Sequence, residues 1–183
     1  MSGCEDEDVS DLVGHKAWRK SSVPMFTLIR ALAYATLFAG FLLWFVPAEI
    51  LAMAGLRAPR TFGVSQAFGS LVGSVGLGLA VSCVLAFATL GKGTPAPFDP
   101  PRRLVIRGPY RLLRNPMYLG AGLWVFGLAM FYQSPWLVLY SAVFMAIAHA
   151  FVRLYEEPTL QRMFGDEYRE YCRRVRRWWP AWS

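Results

Sequence analysis

The chain has 183 residues, of which 55% are hydrophobic and 15% aromatic, and its formal net charge is +7 at pH 7. With a mean hydropathy of +0.34, this composition excludes an ordinary soluble single-domain fold and predicts that many apolar residues face lipid. The basic residues lie between apolar blocks rather than in a separate basic domain, so we expect no nucleic-acid partner.

The N-terminal segment is polar, with five acidic residues between positions 5 and 11, and it lacks the apolar core of a signal peptide. We therefore expect residues 1–23 to form a disordered acidic tail ahead of a membrane domain that covers residues 24–183. None of the three cysteines lies in a CxxC pair. The sequence therefore predicts neither a disulfide framework nor a metal site.

Two apolar blocks in the first half of the chain predict transmembrane helices. The first block is Ala31–Ala48, and we expect its helix to stop at Pro47 because proline lacks the backbone N–H that continues the ladder. The second block, Val64–Leu90, contains Gly69 and Gly73 in a GxxxG pair. Such a pair lets a neighbouring backbone approach closely, but glycine is also tolerated elsewhere in membrane helices, so both interpretations stay open.

A polar, arginine-rich and proline-rich connection over residues 91–115 must lie in water or at the interface. A third apolar block begins at Pro116 or Met117 and ends at Tyr132, and a fourth, Trp136–Val152, follows after only three residues. This spacing predicts a tight helical hairpin. The expected fold class is an all-α bundle of about four transmembrane helices.

After the fourth block, apolar residues recur at helical spacing while charged residues occupy the other face. The apolar face consists of Leu160, Met163, Phe164, Tyr168 and Tyr171. This pattern predicts a C-terminal amphipathic segment on the cytoplasmic side, which Gly165 would break into two pieces.

The distribution of lysine and arginine predicts the topology. Of the 19 basic residues, 17 lie in the N-terminal segment, the connection and the C-terminal segment, and the remaining two are Arg57 and Arg60. By the positive-inside rule, both termini and the connection are cytoplasmic. We expect a multi-pass protein of the bacterial inner membrane.

Two charged, motif-like segments flank the hairpin, and its geometry brings them together. The first reads GPYRLLRNPMYLG from Gly108 to Gly120, and the second begins with Glu156 and Glu157. Adjacent glutamates at a membrane surface repel each other and are costly to bury. They must be either fully hydrated or opposed by arginines or a cationic ligand, and the sequence leaves both possibilities open.

The motifs GPYxxxRNPxYxG and EExxLxxxFGxxYxxYxxxVxRWxP, separated by an apolar hairpin, resemble the C-terminal half of the isoprenylcysteine carboxyl methyltransferase and phospholipid methyltransferase families. The resemblance implies an integral membrane methyltransferase that uses S-adenosylmethionine and a lipid or lipophilic acceptor. Its cofactor-binding core would cover about residues 102–180, and it would need no metal.

The resemblance also implies a cytoplasmic pocket formed by the connection, the hairpin ends and the C-terminal segment. By position, Arg153 and Glu156 belong to its catalytic set. The cofactor contacts carried over are Leu104, Val105, Tyr110, Asn115, Pro116, Met117, Tyr118 and Glu156. Apolar and aromatic groups can cover adenine and a sulfonium, and a carboxylate can bind an ammonium or ribose hydroxyls.

Three positions near the pocket qualify this assignment. Asn115 stands where the families usually have histidine, and an amide cannot titrate near neutral pH. Val152 stands where the eukaryotic carboxyl methyltransferases have a substrate-orienting arginine, so the nearest guanidinium is that of Arg153. His149 lies seven residues before Glu156 on the same helical face, and it is either a base or substrate contact or a hydrogen-bonded packing residue.

Two rival functions stay open at this level. Membrane sterol reductases that use NADPH have a related C-terminal layout, although the short N-terminal half disfavours them. A non-catalytic interaction protein on the same scaffold would not need Asn115, Tyr118 and Glu156 together.

The topology is testable by labelling cysteines with a membrane-impermeant reagent. In a chain without native cysteines, a cysteine at Arg57 should react only from the non-cytoplasmic side, because only two basic residues lie in that segment. A cysteine at Arg173 is the control and should react only from the cytoplasm. Labelling of position 57 from the cytoplasm alone would rule out the four-span topology.

Overall fold

A computed structural model of the chain describes residues 37–59, 61–86, 106 and 108–180. The acidic tail and most of the polar connection lie outside the described residues. Within them the fold is all-helical, apart from one isolated β-bridge. The helices are α1 (Leu37–Met53), α2 (Val64–Ala86), α3 (Pro116–Tyr132), α4 (Pro135–Phe151) and α5 (Glu157–Arg174).

The helices confirm an all-α membrane bundle. Helix α2 and the continuous helix from Pro135 to Arg174 are long and apolar enough to cross a bilayer, while α1 and α3 are shorter apolar helices. Large apolar side chains of α2 such as Phe68, Leu71 and Val75 are exposed. An exposed apolar surface of this kind is typical of a protein that faces lipid.

The prediction that the first helix stops at Pro47 is wrong, because α1 runs on to Met53. A π-helical turn, Phe41–Phe45, precedes the proline and absorbs the break in the hydrogen-bond ladder. The carbonyls of Leu42 and Leu43 accept instead from other helices. The Tyr140 hydroxyl donates to Leu42 O at 2.8 Å, and Trp124 Nε1 donates to Leu43 O at 3.0 Å.

Helices α2 and α3 are in backbone contact along a stripe of glycines. A Cβ atom on Gly127 would lie 2.5 Å from Gly73 N, and a Cβ atom on Gly76 would lie 2.6 Å from Gly120 O. Ordinary side chains cannot fit at these distances. The structure thus decides in favour of the helix-packing interpretation of the GxxxG pair.

Side chains at the start of α2 bind carbonyl groups at the end of α3. Ser65 Oγ donates to Met130 O at 2.7 Å, and Gln66 Nε2 donates to Phe131 O at 3.2 Å. The last carbonyls of a helix have no partner within the helix, and lipid offers none. These contacts therefore fix the position of α2 relative to α3 along their axes.

The predicted hairpin between α3 and α4 is confirmed. Gln133 has a left-handed backbone (φ 52°), and its N–H bonds Ala129 O and Met130 O at the end of α3. Ser134 then caps α4 by accepting from Leu137 N at 3.4 Å, and Pro135 is the first helical residue. The tight turn brings the start of α3 and the end of α4 to the same end of the bundle.

Helix α4 does not end at Val152 as a separate span. It continues through a second π-helical turn, Val152–Glu156, into α5. Gly165 has a non-helical backbone inside α5, which confirms the predicted break. Tyr168, Tyr171 and Val175 are buried with Leu160 and Phe164 packed against them, whereas Met163 is exposed and departs from the predicted apolar face.

The glycine contact gives a direct stability test. Gly127→Ala should destabilise the protein by about 1–3 kcal/mol, because the new methyl group overlaps the α2 backbone. The control is Gly78→Ala, since a Cβ there meets nothing within 4 Å, and it should be neutral or slightly stabilising. Thermal unfolding in detergent compares the two variants. Equal melting temperatures would contradict the packing described for α2 and α3.

Candidate functional site

The connection returns to the bundle through a short 3₁₀ turn, Gly108–Arg111, and Tyr110 is buried in it. Tyr110 and Cys83 of α2 form an apolar cluster, against which Leu79 and Met117 pack. The cluster therefore joins the connection to α2 and to the first turn of α3.

The segment after α5, residues 175–180, closes over the connection. Val175 leaves the helix with an extended backbone. Leu113 and Arg176 form a parallel β-bridge, in which Arg114 N donates to Arg176 O at 3.0 Å. Tyr171, near the end of α5, also binds the connection, because its hydroxyl donates to Tyr110 O at 2.7 Å.

The two adjacent glutamates have different partners. The Tyr118 hydroxyl donates to Glu156 Oε2 at 3.2 Å, across the hairpin from α3. Burial raises the pKa of the Glu156 carboxyl above its usual range; the Tyr118 hydrogen bond opposes this rise in pKa and the charge of Glu157 adds to it. Glu156 is thus a partly buried carboxylate that a cationic ligand would stabilise.

Glu157 is neutralised by arginines. Arg177 donates to both of its carboxylate oxygens, at 2.8 and 2.6 Å, and Arg114 Nη1 lies 3.1 Å from Oε1. The side chains of Glu157 and Arg114 are only 17% and 15% exposed. Of the two possibilities open for the glutamate pair, full hydration is excluded for both residues.

Asn115 is buried beside this pair, one helical turn before Tyr118. It occupies the N-cap position of α3 but makes no side-chain capping bond. Its Nδ2 is a buried donor without a hydrogen-bond partner among the described residues, and so is Arg114 Nε. An unpaired buried donor costs about 1–3 kcal/mol, so an acceptor from water or a ligand would stabilise these atoms.

Tyr110 belongs to the same site electrostatically. Burial raises the pKa of its phenol well above the usual range, and the charges of Cys83 and Glu156 act in the same direction. The phenol of the connection therefore lies within electrostatic range of the Glu156 carboxylate.

Most of the predicted site residues are brought together at this end of the hairpin. The gathered residues are Tyr110, Asn115, Pro116, Met117, Tyr118 and Glu156. Pro116 is fully buried, and Met117 packs on the Tyr110 cluster. Leu104 and Val105 lie outside the described residues. Arg153 is exposed, while Val152 beside it is fully buried.

His149 is a packing residue in the described structure. Trp178 Nε1 donates to His149 Nδ1 at 3.0 Å, and the two rings are stacked with centroids 6.1 Å apart. Because Nδ1 accepts this bond, the histidine is held in place against the C-terminal segment. The contact supports the interpretation of His149 as a hydrogen-bonded packing residue rather than as a base.

An apolar groove of about 520 Å³ lies at the other end of α4, lined by Ile50, Trp136 and Tyr140 among others. The Tyr140 hydroxyl is already bonded to Leu42 O. The residues that line the groove include no acid or histidine base, so it does not compete with the Glu156 end as a reaction site.

Sequence reasoning did not find the roles of Arg114, Tyr171, Arg177 and Trp178. Arg114 and Tyr171 join the connection to α5. Arg177 joins the segment after α5 to the start of α5, and Trp178 joins that segment to α4. Three of the four lie in the motif that begins with Glu156 and Glu157, so the motif marked them as residues of interest. A motif does not show which side chains contact one another.

Comparison with known proteins gives three findings. A family model described as phospholipid methyltransferase matches residues 64–167. Two curated relatives, each named probable protein-S-isoprenylcysteine O-methyltransferase, from Oryza sativa subsp. indica and subsp. japonica, are 32% identical over 81 residues. That match covers 43% of this chain and only 41% of each relative. No solved structure is significantly similar.

The family match and the curated relatives agree in the class of protein they indicate. The family match begins at the first residue of α2, well before the motifs of the connection. Both kinds of match are to methyltransferases, and neither supports a reductase or a non-catalytic membrane protein.

Proposed function

Because the chain belongs to the phospholipid methyltransferase family, we propose that it transfers a methyl group from S-adenosylmethionine to a lipophilic acceptor in the membrane. The observation that carries the proposal is the unpaired Asn115 amide one helical turn from the Tyr118–Glu156 pair. A buried donor and a partly buried carboxylate at one end of the hairpin fit a ligand that has both acceptor and cationic groups.

The residues present suit this cofactor. Glu156 can bind the cofactor's ammonium or its ribose hydroxyls, and Asn115 Nδ2 can donate to its carboxylate or to a ring nitrogen. Tyr110 and Met117 offer aromatic and thioether surface for the adenine and the sulfonium. We place the cofactor-binding core at about residues 102–180, with Leu104 and Val105 as further contacts.

The chemistry needs alignment more than acid or base. S-adenosylmethionine supplies a methyl carbon on a sulfonium, which a nucleophile can displace in line. The protein's part is to hold the two reactants in line and to exclude water. Asn115 cannot act as an imidazole base, so the acceptor must be nucleophilic by itself or lose its proton to another group.

We further propose that the site opens to the cytoplasm and that the acceptor enters sideways from the bilayer. The site lies where the hairpin ends meet the connection and the C-terminal segment, which are the basic segments of the chain. Arg153 is exposed three residues before Glu156. At that position its guanidinium can meet an acidic headgroup at the membrane surface.

Substitution of Glu156 tests the cofactor site. Glu156→Gln should weaken S-adenosylmethionine binding by about 1.5–3 kcal/mol, because a charge-assisted hydrogen bond is lost. Wild-type affinity should also fall as the pH drops through the raised pKa of Glu156, since protonation removes the charge, and the variant should lose this pH dependence. Glu157→Gln should weaken binding less. Isothermal titration on folded protein measures all three, and equal affinity in wild type and Glu156→Gln would remove Glu156 from the site.

The acceptor can be tested with two substrates. We expect a neutral or amine-bearing lipid to be methylated faster than a farnesylcysteine analogue, because fully buried Val152 stands where the related eukaryotic enzymes use an arginine to orient a carboxylate. Membranes with and without the protein are supplied with radiolabelled methyl donor and either farnesylcysteine analogue or extracted bacterial lipids. Faster methylation of the farnesylcysteine analogue would contradict the acceptor class and leave the methyltransferase assignment standing.

A further inference from the structure

Glu157 joins three parts of the chain that are far apart in sequence. It is the first residue of α5, and its carboxylate binds Arg114 of the connection and Arg177 of the C-terminal segment. The sequence separation is 20 residues to Arg177, and the bond is bidentate. A bidentate pair of an arginine and a carboxylate stabilises the contact and also fixes the relative orientation of the two side chains.

The two arginines need this carboxylate. Both converge on one partly buried carboxylate: the side chains of Arg114 and Arg177 are 15% and 26% exposed. Without Glu157, two positive charges would face each other in a place where water screens them poorly. Arg177 lies outside the helix, in the segment that follows α5.

The segment that Arg177 belongs to forms one wall of the proposed site. Arg176 O accepts the Arg114 amide directly before Asn115, and Trp178 packs on His149 of α4. If this segment undocked, the Arg114 amide would lose its hydrogen bond to Arg176 O, and Asn115 directly after it would be held less firmly. The position of the unpaired Asn115 amide thus depends on the docking of residues 175–180.

We propose that Glu157 is a positioning residue, which docks the C-terminal segment on the connection and so holds Asn115 in place, while its neighbour Glu156 contacts the ligand. The proposal rests on the proposed function for its effect on the methyl donor. It explains why two adjacent carboxylates occur at a site where one would suffice for binding. The docking of the C-terminal segment through Glu157 can be measured without any ligand.

The test is a double-mutant cycle with Glu157→Gln, Arg177→Gln and the double variant, on the full-length chain in detergent. The first readout is hydrogen–deuterium exchange of a peptide over residues 108–118, which contains the Arg114 amide. The second is the affinity for S-adenosylmethionine. The matched control is Glu170→Gln, which removes the same charge from α5, where Glu170 pairs with Arg174 on the exposed surface.

Each single variant should raise the exchange rate of this peptide by roughly tenfold, since charge-assisted hydrogen bonds are lost. Each should weaken S-adenosylmethionine binding by about three- to tenfold, and the double variant should be no worse than the singles. Glu170→Gln should leave both the exchange rate and the affinity unchanged.

Unchanged exchange in Glu157→Gln, or losses of affinity that multiply in the double variant, would overturn the positioning role. The first result would show that the segment stays docked without Glu157, and the second that Glu157 and Arg177 act independently. If the wild type bound no S-adenosylmethionine, the proposed function would fail, and the exchange measurement would still decide whether Glu157 docks the segment.

Discussion

The close approach of two backbones at glycines is the constraint on which the rest of the structure depends. Gly127 of α3 lies against Gly73 of α2, so the two helices touch without side chains between them. Lipid is as apolar as the helix surfaces, so packing at small residues drives their association. This contact places Cys83 under Tyr110 and Met117, and it thereby sets the distance between the connection and the first turn of α3.

The need to satisfy every backbone carbonyl in lipid explains features that otherwise look irregular. Pro47 has no backbone N–H to donate within α1. The side chains of Trp124 in α3 and Tyr140 in α4 instead donate hydrogen bonds to carbonyls of α1. The second π-helical turn ends at Glu156, directly before the carboxylate that binds the arginines. Local irregularity of the helices therefore coincides with the places where helices are tied together or where the site is formed.

Hydropathy and spacing predicted the hairpin, the amphipathic segment and the break at Gly165, because these follow from the positions of apolar residues and glycine along one helix. The course of α1 beyond Pro47 could not be predicted, since it depends on donors that are distant in sequence. The motifs identified Asn115, Tyr118 and Glu156, and the structure brings them together. The pairing of Glu157 with Arg177 could not be predicted from the sequence, because a motif specifies residue types and not the partners of each side chain.

Whether the end of the hairpin binds a methyl donor can be decided by a ligand titration of the purified wild-type protein. S-adenosylmethionine, S-adenosylhomocysteine and NADPH are titrated in parallel into the same preparation. We expect saturable binding of the two methionine derivatives, with competition between them, and no binding of NADPH. Saturable binding of NADPH without binding of S-adenosylmethionine would contradict this expectation and favour a reductase on the same helical scaffold.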